Sequence, residues 1–128
     1  MDVQDIIELF LDYKMDIKLP KNIPKYRDRF NFESYMKWAA DELFMYIVQQ
    51  KDRSPMVSAI DFYEIADKFS HISSEKDKII WEAAKIVSYN IADIINAKMS
   101  YNDEGEEYKR KWEKIMLNYQ EFVGGEYL

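Results

Sequence analysis

The chain reads as all-α: a single compact bundle of about five helices, with a long Pro-containing connector between the first and second. Three observations carry this reading. Phe32, Tyr35, Met36, Ala39, Ala40, Leu43, Phe44 and Ile47 recur at i, i+3, i+4 and i+7, which places them on one stripe of a helix. Four further stretches repeat the same period. Three Gly and three Pro in 128 residues are too few to punctuate a many-turned β-sandwich. With 48% apolar and 16% aromatic residues there is ample material for a core, and the length fits one domain over 1–128.

The first helix is expected over about Val3 to Met15. Asp2 is placed to accept from first-turn N–H groups, and Asp5 lies where negative charge favours the helix dipole. Val3, Ile6, Ile7, Phe10 and Leu11 make its expected buried stripe. Residues 16–30 follow as an ordered, extended connector. Pro20 and Pro24 lack N–H groups and disfavour helix at the residue before each, while Leu19, Ile23, Tyr26 and Phe30 supply apolar anchors.

Asn31 is the expected cap of the second helix, which runs to about Gln50, and Lys51–Arg53 forms a turn. Ser54 then caps a third helix with Pro55 at its first position, where a missing N–H costs nothing. That helix is expected to end near Phe69 or Ser70, with a break at His71, Ile72 and Ser73. Ser74 and Asp77 resemble a capping box opening the fourth and longest helix, about Glu75 to Met99. Its Ile80, Ala83, Ala84, Val87, Ile91, Ile94 and Ile95 suit a central helix, and the small Ala83, Ala84 and Ala92 allow a close neighbour. The last helix begins near Glu104 and carries Tyr108, Trp112, Ile115, Met116, Tyr119, Phe122 and Val123. Gly124 and Gly125 stop it, leaving residues 124–128 as a frayed tail.

Composition narrows the function classes. The absence of Cys removes disulfides, thiolate zinc sites and cysteine nucleophiles, and fits a reducing, cytoplasmic setting. Asp2, Asp5 and Glu8, with no basic stretch before them, are unlike a secretory signal, and no apolar run has the length of a membrane span. A net charge of −6 opposes broad nucleic-acid binding. Residues 16–31 depart from this, with five bases against two acids. Lys18, Lys21, Lys25, Arg27 and Arg29 are interleaved there with Tyr26 and Phe30. This basic connector is the candidate partner-binding element, for protein first and nucleic acid second.

No catalytic residue is assigned. His71 is the single His, which removes most zinc sites and makes a Ser–His arrangement hard to build, and no phosphate-binding glycine loop exists. Asp61, Glu64 and Asp67 stand three apart on one helix, the spacing used by helical metal-dependent phosphohydrolases. They fall toward the polar side of that helix, and no second helix offers a matching pair, so a solvated acidic face is the preferred reading. The fourth helix opens with Glu75, Lys76, Asp77 and Lys78, whose charges cancel, which argues against a DNA-recognition helix. Trp112 falls on its helix's apolar stripe, whereas Trp38 and Trp81 fall at the edges of theirs.

The expected function is therefore a small acidic, non-enzymatic protein-binding module without a cofactor, as monomer or homodimer. Abundant Lys, Ile, Tyr and Asn suggest AT-rich coding, which fits a phage- or mobile-element-encoded inhibitor of a host protein such as a nucleic-acid enzyme. The alternatives are a metal-dependent nucleotide hydrolase using Asp61, Glu64 and Asp67, and a nucleic-acid-binding regulator using the basic connector.

Overall fold

The computed structural model describes residues 2–17, 19, 29–98 and 105–125. These form five helices and no strand: α1 (Val3–Met15), α2 (Arg29–Gln49), α3 (Pro55–Ile72), α4 (Glu75–Lys98) and α5 (Glu106–Gln120), the last continued by a π-helical turn, Glu121–Gly125. None is long and apolar enough to cross a membrane.

At the start of α1, Asp2 and Asp5 form a reciprocal capping box. The Asp5 N–H donates to Asp2 Oδ1 at 2.9 Å, and the Asp2 N–H donates to Asp5 Oδ2 at 3.2 Å. The face that α1 buries differs from the expected one. Ile6, Leu9, Phe10 and Tyr13 are buried, while Val3 and Leu11 are exposed. Both sets obey the helical period; the choice is made by what α1 lies against. Phe10 meets Phe44 of α2 edge-on at 5.3 Å, and the Tyr13 hydroxyl accepts from Asn90 of α4 at 3.2 Å.

Helix α2 begins at Arg29, two residues before the expected cap at Asn31, since nothing after Pro24 forbids helical φ. It buries Phe32, Met36, Ala39, Ala40, Leu43 and Ile47, the stripe read from the sequence. After the turn at Lys51–Arg53, the Ser54 hydroxyl accepts from the Val57 N–H at 3.2 Å, and Pro55 opens α3. Helix α3 carries on through His71 and Ile72, so the expected three-residue break shrinks to Ser73 and Ser74. Ser73 adopts an extended conformation, and its N–H closes the final turn on the Phe69 carbonyl at 3.0 Å. The Ser74 hydroxyl then reaches the Asp77 carboxylate at 3.4 Å.

Helix α4 is the centre of the bundle. Every residue from Glu82 to Ser88 is buried, because α4 packs against α2, α3 and α5, chiefly against α3. Fully buried Ala39, Ala40, Ala59, Ala66, Ala83 and Ala84 let these helices approach closely. Helix α5 opens at Gly105, whose φ of +92° is a conformation that favours glycine. Only Trp112 and Ile115 of α5 are buried, with Tyr119 and Phe122 packed beside them. The helix does not stop short of the two glycines: its last turn widens into the π-helical turn that includes them.

Candidate functional site

Four regions of the molecule carry chemistry, and the first is an apolar groove on the surface. The N-terminal halves of α2 and α4 run side by side and leave a groove of about 570 Å³ lined by Ser34, Tyr35 and Trp38 on one side and Asp77, Ile80 and Trp81 on the other. Apart from Ser34 and Asp77, its walls are aromatic or aliphatic. Trp38 is 42% exposed, a high value for the largest apolar side chain. Trp81 is half-buried because Phe69 of α3 stacks on it at 4.8 Å. Phe69 belongs to an exposed apolar stripe of α3 with Ile65 and Ile72, at i, i+4 and i+7. The stack therefore joins the groove to this stripe, giving three helices a shared apolar margin.

The acids of α3 do not converge. Asp61 pairs with Arg53, Glu64 with Lys111 at 3.5 Å, and Asp67 with Lys85 at 2.8 Å. Arg53 also donates to the Tyr108 hydroxyl at 2.9 Å, fastening α5 to the turn before α3. Among the described residues, no three His, Asp or Glu side chains gather as a metal would need. His71 lies in the last turn of α3 with Nε2 3.4 Å from Asp67, and the Ser70 hydroxyl donates to the Asp67 carbonyl rather than to the imidazole.

Beneath these pairs lies a buried polar layer with no forewarning in the apolar period. The Lys85 side chain is only 8% exposed, and its ammonium sits 4.2 Å from the centre of the Phe122 ring. Tyr63 is buried nearby, and burial followed by the Asp67 charge drives its hydroxyl pKa upward. Tyr89 bridges Trp112 at 5.3 Å and Tyr119 at 3.8 Å in a stacked aromatic ladder. The fourth region is a cleft of about 520 Å³ where Asp12, Tyr13 and Asp16 of the α1 end face Asn90, Asp93 and Lys98 of α4. Burial pushes the Tyr13 hydroxyl up to about 12, against a smaller lowering by Asn90.

Of the connector bases, Lys18, Lys21, Lys25 and Arg27, together with Tyr26, lie outside the described residues. Arg29 is placed in the first turn of α2. Ile17 and Leu19, at the connector's start, pack half-buried against the core. The aromatic groove was only partly signalled: the sequence put Trp38 and Trp81 at stripe edges, but their meeting across α2 and α4 needs the tertiary arrangement. In comparisons with known proteins, the chain matches no family model, no curated protein and no solved structure.

Proposed function

We propose that the chain is a non-enzymatic protein-binding module that uses the groove between Trp38 and Trp81. The observation that carries this reading is Trp38, held on a rigid helix with 42% of its surface in water beside an apolar trough. Leaving a Trp exposed forgoes burial free energy, and buried Trp side chains are prominent anchors at protein interfaces. The partner best suited to it presents an apolar side chain to the groove and basic residues around it. Asp77 lies in the groove wall, and the whole chain carries −6. A basic groove of a nucleic-acid enzyme has that character, so inhibition by covering such a surface is the proposed mode of action. The hydrolase alternative requires Asp61, Glu64 and Asp67 on one ion, and their attachment to three separate bases does not favour it.

The test compares wild-type chain with Trp38→Glu as affinity baits in lysate of the source cell. Trp38→Glu is expected to remain folded, checked by its unfolding transition, since Trp38 is 42% exposed, and to lose a stoichiometric partner that wild type retains. Recovery of the same partner by both baits refutes the groove as the contact. Recovery of none by wild type refutes the binding function.

A further inference from the structure

The outer side of α1 carries a second pattern. Side chains spaced i, i+4 on a helix form inclined rows. Two such rows of α1 face inward, Ile6 with Phe10 and Leu9 with Tyr13, all buried. A third row is apolar too: Val3, Ile7, Leu11 and Met15. Val3, Leu11 and Met15 are 63%, 55% and 88% exposed, and Ile7 is half-buried. The fourth row, Gln4, Glu8 and Asp12, continued by Asp16 at the C-cap, is exposed and runs directly alongside. The outer face of α1 is thus an apolar ridge with an acidic edge. Glu8, Asp12 and Asp16 have no ion-pair partner among the described residues. Asp12 and Asp16 also stand at the C-terminal end of α1, where the helix dipole favours a cation. Lys14, the basic residue of that turn, is taken by Asp41 at 2.8 Å. Asp93 of α4 adds a third carboxylate across the adjoining cleft, opposed in its wall by Lys98.

The geometry points to a docking face for a basic amphipathic helix of a partner protein. The partner's apolar residues, repeating at helical spacing, lie against Val3, Ile7, Leu11 and Met15. Lys or Arg along one flank of that helix meet Glu8, Asp12 and Asp16. Charge selects this occupant over a second copy of the chain. Two copies of α1 paired antiparallel set their acidic edges on the same side of the contact, where like charges repel. Paired parallel, they leave both edges without a counter-charge. A basic flank supplies that counter-charge and also answers the dipole at the end of α1. The inference does not rest on the Trp38 groove, whose lining takes no residue from α1.

Isothermal titration of the full chain with a synthetic helical peptide tests the face. The peptide has about 18 residues, enough to match the roughly 20 Å of α1, with Leu along one i, i+4 row, Lys along the next, and Ala and Gln elsewhere. It is expected to bind one-to-one, and a version with Glu for every Lys to bind roughly tenfold or more weakly. Leu11→Gln/Met15→Gln is expected to weaken the Lys peptide by roughly tenfold, and Leu117→Gln, an exposed apolar loss on α5, to leave it unchanged. Glu8→Gln/Asp12→Asn is expected to weaken it several-fold and to flatten its salt dependence, whereas the equally discharged Glu107→Gln/Glu113→Gln on α5 keeps both. All five substituted positions on α1 and α5 outside the core are exposed, and an unfolding transition confirms that each variant is folded. No saturation at about 100 μM Lys peptide overturns the proposal, that is, a complex weaker than roughly −5.5 kcal/mol. Equal binding of the Lys and Glu peptides overturns it, and so does wild-type affinity in Leu11→Gln/Met15→Gln. A wild-type dimer in sedimentation that Leu11→Gln/Met15→Gln dissolves makes a second copy the occupant and overturns the basic helix. Loss of the Trp38-dependent partner leaves these outcomes untouched, because the titration uses neither that partner nor that groove.

Discussion

Lys85 and Asp67 offer a stringent test of how this interior is held. The Lys85 side chain is 8% exposed, that of Asp67 is 33% exposed, and the two meet at 2.8 Å. Removing one partner of a fully buried pair costs about 3–5 kcal/mol, because the other charge is left uncompensated. In Asp67→Ala the stranded group is the more buried one, but the Phe122 ring at 4.2 Å still offers it about 1 kcal/mol of cation–π attraction. A net loss of about 2–3 kcal/mol follows, or roughly 10 °C in Tm for a chain of this size. In Lys85→Met the buried charge disappears, the stem volume stays, and the remaining carboxylate is one-third exposed with His71 at 3.4 Å. That variant is expected to cost under about 1 kcal/mol. Asp67→Ala/Lys85→Met should then be no worse than Lys85→Met by more than about 1 kcal/mol, because it leaves no stranded ammonium. Urea unfolding followed by far-UV circular dichroism measures all three. The reasoning fails if Lys85→Met is as destabilising as Asp67→Ala, or if the double variant loses the sum of the two.

Further outcomes follow from other parts of the molecule. Trp112, 2% exposed and stacked on Tyr89, is expected to lose about 3–5 kcal/mol as Trp112→Ala, read as a lower urea midpoint. Ser54→Ala removes the acceptor for the Val57 N–H and is expected to cost about 1 kcal/mol by the same assay. Stability should also fall in alkali. Tyr13 titrates at about 12 when folded against 10 when unfolded, so the folded state holds the proton more tightly. Its contribution, about 3 kcal/mol at most, is complete below pH 10 and is lost as the pH rises through 12. Burial raises Tyr63, Tyr89 and Tyr119 as well, which steepens the same decline. A urea midpoint that stays level from pH 9 to beyond pH 12 contradicts this assignment.

The elements were legible because apolar period and start signals agree. Asp2, Ser54 and Pro55 mark helix beginnings by chemistry that does not depend on the rest of the fold. The end of α3 was not legible, since His71 to Ser74 contain neither Gly nor Pro and only backbone geometry closes the helix at Ser73. The face of α1 was ambiguous for a different reason. Two stripes satisfy one period, and Phe44 and Asn90, distant in sequence, select between them. Lys85 escaped notice because a period shows where the core lies but not which neighbour covers its flank. Here the cover is Phe122, beyond the end of α5, together with Asp67 of α3. Asp61, Glu64 and Asp67 illustrate the same limit: their shared face was evident, their three separate bases were not.

The prominence of α3 against α4 in the packing has a consequence for how the chain acquires and loses its shape. The two helices are separated only by Ser73 and Ser74, so their joint interface forms with little loop-closure entropy and makes a natural folding nucleus. Helix α5, seated mainly through Trp112 and Ile115, has far less to hold it. In native-state hydrogen exchange, amides in the middle of α4 should therefore be the last to take up deuterium, and those of α5 should exchange by excursions that leave the α3–α4 hairpin intact.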